Sequence, residues 1–172
     1  MFSGKSTELI HKKRQHQLLD KTVMMITHKN DDRYEKDAIV SHDMISTKAT
    51  SVVELMPLLQ TDEYDNANVV FIEEGQFFQD LYEFVVYAVE HDHKHVIVGA
   101  LDGDYQRKPF WNVLKLVPMA DHVEKKSALC MECKDGTLAS FSKRLISSNI
   151  RNLVGHQDKY IPVCRFHYNA HT

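Results

Sequence analysis

The stretch Asn68-Val69-Val70-Phe71-Ile72-Glu73-Glu74-Gly75 is a short apolar run closed by two acids. It has the length of a strand and lacks polar alternation, the pattern of a strand buried on both faces. Two more runs of this kind flank it, Thr22–Thr27 upstream and His95–Val98 downstream. Between them the spacing predicts helices. Leu81 to Glu90 reads as helical, and so does Thr50 to Gln60, with Val53, Met56 and Leu59 on one face and Pro57 shortening or kinking it. Glu8 to Leu19 is a third, largely solvated helix with a narrow apolar stripe of Leu9, Ile10, Leu18 and Leu19. His28 to Thr47 is polar and reads as irregular. Apolar strands alternating with helices predict an α/β fold, a parallel sheet with helices on both faces. After about Pro118 the pattern changes to short strands around cysteines. The boundary falls there, giving residues 1–118 and a small module of 119–172.

The 172 residues carry a net charge of -3, which supplies no general pull toward nucleic acid or anionic membrane. No apolar run approaches the roughly 20 residues that span a bilayer. Lys5, Glu8 and Lys12 interrupt any signal-peptide core, so the chain reads as soluble and cytoplasmic. Three cysteines, two of them in a C-x-x-C pair, argue against a disulfide framework. The His-rich stretch His91-Asp92-His93-Lys94-His95 reads as a solvated turn before a strand, with a weak metal site as the alternative.

Three motifs carry chemistry. Gly4-Lys5-Ser6-Thr7 is the tail of a phosphate-binding loop: backbone N–H groups, the lysine and a helix N-terminus face phosphates while the serine hydroxyl holds Mg²⁺. A flexible Gly-Ser terminus is the plain alternative. Glu73 and Glu74 end an apolar strand, where a phosphoryl-transfer site needs a carboxylate for the metal or its water. Two adjacent acids allow one to serve Mg²⁺ while the other accepts a proton, although many strands simply end in solvated acids. Cys130-x-x-Cys133 and Cys164-x-x-His167 supply a tetrahedral donor set for a closed, structural zinc site. A redox C-x-x-C is the alternative and leaves Cys164 and His167 unused. The polar stretch from Ala100 to Phe110 follows the third strand, where an open α/β sheet carries its binding loops.

In series these residues resemble the type II thymidine kinases of animal cytosol, poxviruses and many bacteria. The signposts run in that family's order: MFSGKSTELI, Asp32-Arg33-Tyr34, Ser41-His42-Asp43, Glu74-Gly-Gln-Phe-Phe78, ALDGDYQRKPF, Leu116-Val-Pro118, Cys130-Met-Glu-Cys133, Ser142-Lys-Arg-Leu145 and Asp158-Lys-Tyr160. The resemblance implies a P-loop, RecA-like α/β domain with a C-terminal zinc-ribbon "lasso", and transfer of the ATP γ-phosphoryl group to the 5′-hydroxyl of thymidine. It makes Glu74 the catalytic base. Met1, Phe2, Ser3, Gly4, Lys5, Ser6, Asp31, Asp32, Arg33, Glu73, Gly75 and Gln76 fall to ATP and its phosphates, with Ser6 and Glu73 at Mg²⁺. Phe77, Leu101, Tyr105, Arg151, Asn152, Leu153, Val154, Gly155 and Tyr160 fall to the nucleoside. Zinc on Cys130, Cys133, Cys164 and His167, a homotetramer and feedback by dTTP are implied in the same way, with no nucleic-acid or membrane partner.

The chain departs from that family's pattern at several places. Glu73 stands for an aspartate, Tyr105 for a phenylalanine, His156 for a glycine, Gln79 for a proline and His167 for a cysteine. The connection between Cys133 and Ser142 is longer by two residues. The family also carries a strand and Gly-Pro ahead of its loop, so the chain from Met1 is expected to be weakly active or to bind nucleoside without catalysis.

Overall fold

The computed structural model describes residues 2–29, 38–40, 46–146 and 159–170. Helix α1 (Lys5–Leu18) opens the described chain and leads to strand β1 (Val23–His28). Strands β2 (Ala38–Val40) and β3 (Ser46–Lys48) form a small antiparallel pair inside the stretch expected to be irregular. Strand β4 (Thr50–Val52), a 3-10 turn over Met56–Gln60 and helix α2 (Asp62–Asn66) follow. Then come β5 (Val69–Ile72), α3 (Leu81–Glu90), β6 (His95–Val98) and α4 (Trp111–Leu114). The last part holds β7 (Ala128–Leu129), β8 (Leu138–Ala139), β9 (Phe141–Arg144), β10 (Tyr160–Val163) and α5 (Arg165–Asn169).

Strands β4, β1, β5 and β6 lie in that order in one parallel sheet. Successive side chains alternate between its faces, so each apolar strand feeds two cores. Met24, Ile26, Val70 and Ile72 point to the face covered by α2 and α3, against Tyr64, Leu81, Phe84 and Ala88. Met25, Val69 and Phe71 point to the other face, against Leu9 and Ile10 of α1. Ile26, Val70, Phe71, Ile72 and Phe84 are fully buried, worth about 1.5–3 kcal/mol each relative to exposure. This double coverage explains why the strands read as unbroken apolar runs. Ile26 is paired with Ile72, and Ile72 with Val98, so β1, β5 and β6 run in register toward one end of the sheet.

Two sequence expectations are corrected. Leu18 and Leu19 do not continue the stripe of α1 and stand 83% and 69% exposed. Leu18 lies nine residues after Leu9, and at about 100° per residue that is the opposite side of the helix. Thr50 to Gln60 is not one helix. The β-branched residues Thr50 and Val52 join the sheet edge beside β1, and only Met56–Gln60 coils, as a 3-10 turn with Pro57 in its first positions. Val53 and Met56 are exposed while Leu55 and Leu58 are buried. Asp80 holds this arrangement from the far side: its Oδ2 accepts hydrogen bonds from the backbone N–H of Leu55 at 2.7 Å and of Met56 at 2.8 Å. The His-rich stretch forms the expected exposed turn into β6.

The small C-terminal module has its own core of Ala128, Cys130, Ala139, Val163 and Cys164. β7 pairs antiparallel with β8, and β9 with β10. Among the described residues no helix is long and apolar enough to cross a membrane.

Candidate functional site

Helix α1 begins at Gly4, which takes the left-handed conformation with φ 77°, a geometry that glycine adopts without steric cost. The first N–H groups of α1 have no partner inside the helix. Lys5 and Ser6 sit in the first helical turn. The Ser6 hydroxyl donates to Glu73 Oε1, although 67 residues separate them in sequence. Glu73 is 2% exposed, held where β5 delivers it. A hydroxyl and a carboxylate converging at the sheet edge form the oxygen donor set that suits Mg²⁺, so Ser6 and Glu73 are the residues that would hold it.

Gly99, just beyond β6, makes this convergence possible. A Cβ there would lie 2.7 Å from Glu73 Oε2 and 2.7 Å from Leu9 Cδ1. A side chain there would force Glu73 or Leu9 to shift.

Glu74 turns the chain sharply, with φ 52° and ψ 43° in the left-handed region that costs a non-glycine residue energy. It is 6% exposed. Gln76 Nε2 donates to Glu74 Oε2, and Gln76 Oε1 accepts from the backbone N–H of Leu101 at 3.0 Å. Gln76 itself is 2% exposed. Its amide is thus engaged with Glu74 and Leu101. The Gly75 N–H donates to the Gly99 carbonyl at 3.0 Å. From α4, Asn112 Nδ2 donates to the carbonyls of Phe78 at 2.7 Å and Gln76 at 3.2 Å, with a longer contact to Gly75 at 3.4 Å.

The loop after β6 braces itself. Asp104 Oδ1 accepts from the N–H groups of Gln106 at 2.9 Å and Lys108 at 2.8 Å, and Gly103 bridges to Pro109. This loop presents Tyr105. The Arg144 guanidinium lies 3.7 Å from the centroid of the Tyr105 ring, and Arg144 Nε donates to the Tyr160 hydroxyl at 3.1 Å. Two expected nucleoside residues from different modules are therefore joined through Arg144. Leu101 contributes its backbone N–H as described, and Phe77 packs its ring 5.7 Å from the His28 ring. Phe2, in the loop ahead of α1, packs instead against the core of the C-terminal module. Met1, Asp31, Asp32, Arg33 and Arg151, Asn152, Leu153, Val154 and Gly155 lie outside the described residues.

The four candidate metal ligands are brought together. The ligand atoms of Cys130, Cys133, Cys164 and His167 all lie within 4.8 Å of one another. Cys133 Sγ is 3.8 Å from Cys164 Sγ. His167 Nδ1 is 3.7 Å from Cys130 Sγ, 3.3 Å from Cys133 Sγ and 3.4 Å from Cys164 Sγ. Bond lengths of about 2.3 Å to sulfur and about 2.0 Å to nitrogen give a zinc tetrahedron edges of about 3.8 and 3.5 Å, so the donor spacing fits. Burial opposes ionisation of Cys130, but N–H groups of Cys133, Cys164 and Glu132 outweigh it and bring the thiol to about 6. Burial and the neighbouring thiols push Cys133 up to about 11, and a bound cation works against that rise.

Several contributors were not visible to sequence reasoning. Asn112 lies in a helix whose docking the spacing did not reveal. Gly99 follows an apolar run, a position where glycine signals close approach without saying to what. Arg144 fell inside a quoted motif but carried no role of its own.

A family model described as "Thymidine kinase" matches residues 1–168. "Thymidine kinase a" of Arabidopsis thaliana is 41% identical over 171 residues, which is 98% of this chain and 71% of that protein. The thymidine kinase of Yaba monkey tumor virus is 42% identical over 168 residues, covering 98% of this chain and 90% of the viral protein. That of vaccinia virus, strain Western Reserve, is 41% identical over 165 residues, or 96% and 90% of the two chains. With the loop serine on the strand-end acid, a second acid beside it and likeness along nearly the whole chain, the protein belongs to the thymidine kinase family.

Proposed function

We propose that this chain phosphorylates thymidine at the 5′-hydroxyl with ATP, and that Glu74 is the base. The observation that carries the reading is the Ser6–Glu73 hydrogen bond at the mouth of α1, with Glu74 one residue beyond. The γ-phosphate would face the N-terminus of α1, where backbone N–H groups and Lys5 meet its charge. Ser6 and Glu73 would hold Mg²⁺, which would supply positive charge to offset that of the phosphates. Glu74 accepts the 5′-OH proton as that oxygen forms its bond to the γ-phosphorus and the bond to the leaving ADP oxygen breaks. Phe77, Leu101, Tyr105 and Tyr160 serve the nucleoside, and Arg151, Asn152, Leu153, Val154 and Gly155 are assigned to it with them. Asp31, Asp32 and Arg33 serve the nucleotide, as do Gly75 and Gln76 through the turn they build. Zinc on the four-residue quartet is structural and ties the module that carries Tyr160. Feedback by dTTP, assembly as a homotetramer and a cytoplasmic location complete the reading.

The test is ATP-dependent conversion of thymidine to dTMP by the purified chain, with Glu74→Gln beside it. Loss of the base should cost on the order of 10²–10⁴ in kcat. Binding of thymidine without any dTMP would instead establish a nucleoside-binding relative that does not catalyse.

A further inference from the structure

The turn that carries Glu74 is held from two sides, by the side chains of Gln76 and Asn112. Gln76 clasps the carboxylate itself, and its other amide atom is anchored on the Leu101 backbone. Asn112 reaches over from α4 and gathers the carbonyls of Gly75, Gln76 and Phe78 on a single amide nitrogen. Left-handed backbone at a glutamate persists only where its surroundings hold it. Here the Gln76 amide, on Glu74 and Leu101, and the Asn112 amide, on the carbonyls that follow Glu74, do so.

We propose that Asn112 and Gln76 are positioning residues for the catalytic base: Asn112 fixes the turn and Gln76 fixes the carboxylate on it. This rests on Glu74 being the base. It departs from the assignment of Gln76 to ATP, because the Gln76 amide is turned inward and spent on Glu74 and Leu101. It also gives α4, a helix of one turn, a catalytic purpose. A base displaced by about 1 Å loses on the order of 10²-fold in rate with little change in substrate affinity.

The experiment is steady-state kinetics on the full chain carrying Asn112→Ala, Gln76→Leu or Glu74→Gln, and on the double variant Glu74→Gln with Asn112→Ala. Trp111→Ala, an exposed neighbour on the same helix, serves as control. Asn112→Ala and Gln76→Leu should lower kcat by about 10–100-fold, with KM for ATP and for thymidine each within about threefold. Asn112→Ser, which keeps one donor, should recover part of the loss. The double variant should be no slower than Glu74→Gln alone, since Asn112 acts through that residue. Additive losses would overturn the proposal, as would wild-type kcat in Asn112→Ala. A raised KM for ATP with unchanged kcat in Gln76→Leu would return that residue to the nucleotide. Full activity in Glu74→Gln would be a different failure, that of the base itself.

Discussion

The Tyr168 hydroxyl donates a 2.8 Å hydrogen bond to the Tyr105 carbonyl, joining the helix that carries His167 to the loop that presents Tyr105. Arg107 reinforces the joint, its guanidinium 4.5 Å from the Tyr168 ring centroid. The helix that carries His167 and the loop that carries Tyr105 are therefore mechanically connected. Holding His167 would also fix α5 and, with it, the position of Tyr168.

Metal removal should consequently act on the nucleoside side first. The purified chain should contain one zinc. A strong chelator, or Cys133→Ala, should lower the melting temperature and raise KM for thymidine more than KM for ATP. Metal analysis and the two KM values check this. Equal effects on both substrates would show that the joint does not transmit.

Tyr168→Phe isolates the joint from the metal. It deletes one hydrogen bond worth about 0.5–1.5 kcal/mol and leaves His167, the quartet and the Arg107 contact in place. KM for thymidine should rise a few-fold while zinc content stays at one. Thermal melting should change by only a few degrees. A thymidine KM equal to that of the unaltered chain would mean the Tyr105 loop is held well enough by Asp104 alone.

Asp80 should matter for stability rather than for catalysis. Its Oδ2 satisfies two backbone N–H groups at the entry to the 3-10 turn. Asp80→Ala leaves both donors without that acceptor, at a cost of about 1–3 kcal/mol. Asp80→Asn keeps one carbonyl oxygen and should cost less. Denaturant unfolding orders the three proteins, and kcat per folded molecule should be the same in all.

The parts of the fold that were legible in the sequence are those where local pattern and burial agree. Strand β6 and helix α3 fall at the residues predicted, and β5 within one residue; β5 is buried at every position, and a strand buried on both faces has to be an apolar run. Thr50 to Gln60 misled for the opposite reason. Its apolar residues have helical spacing, but an open edge beside β1 and the Asp80 carboxylate decide its shape, and both come from elsewhere in the chain. The site divides in the same way. Ser6, Glu73, Glu74 and the metal quartet stand in motifs whose chemistry is local. Asn112, Gly99 and Arg144 acquire meaning only when distant elements pack, so no spacing could have marked them.

Gly99 gives the sharpest test of the Ser6–Glu73 pair. An added methyl would stand 2.7 Å from both Glu73 Oε2 and Leu9 Cδ1, well inside contact distance. Leu9 belongs to the packed core against Phe71 and can retreat little, whereas the carboxylate can rotate about its own bonds. In Gly99→Ala the strain of about 1–3 kcal/mol should therefore be relieved mostly by turning Glu73 away from Ser6. Stability then falls modestly, kcat falls much further, and the Mg²⁺ concentration for half-maximal rate rises. Adding Leu9→Ala opens room on the helix side, so the double variant should regain rate while losing more stability. That crossing of activity against stability has no explanation in general misfolding. If rate and stability instead fell together in both variants, the acid would have stayed in place and the metal would be held without it.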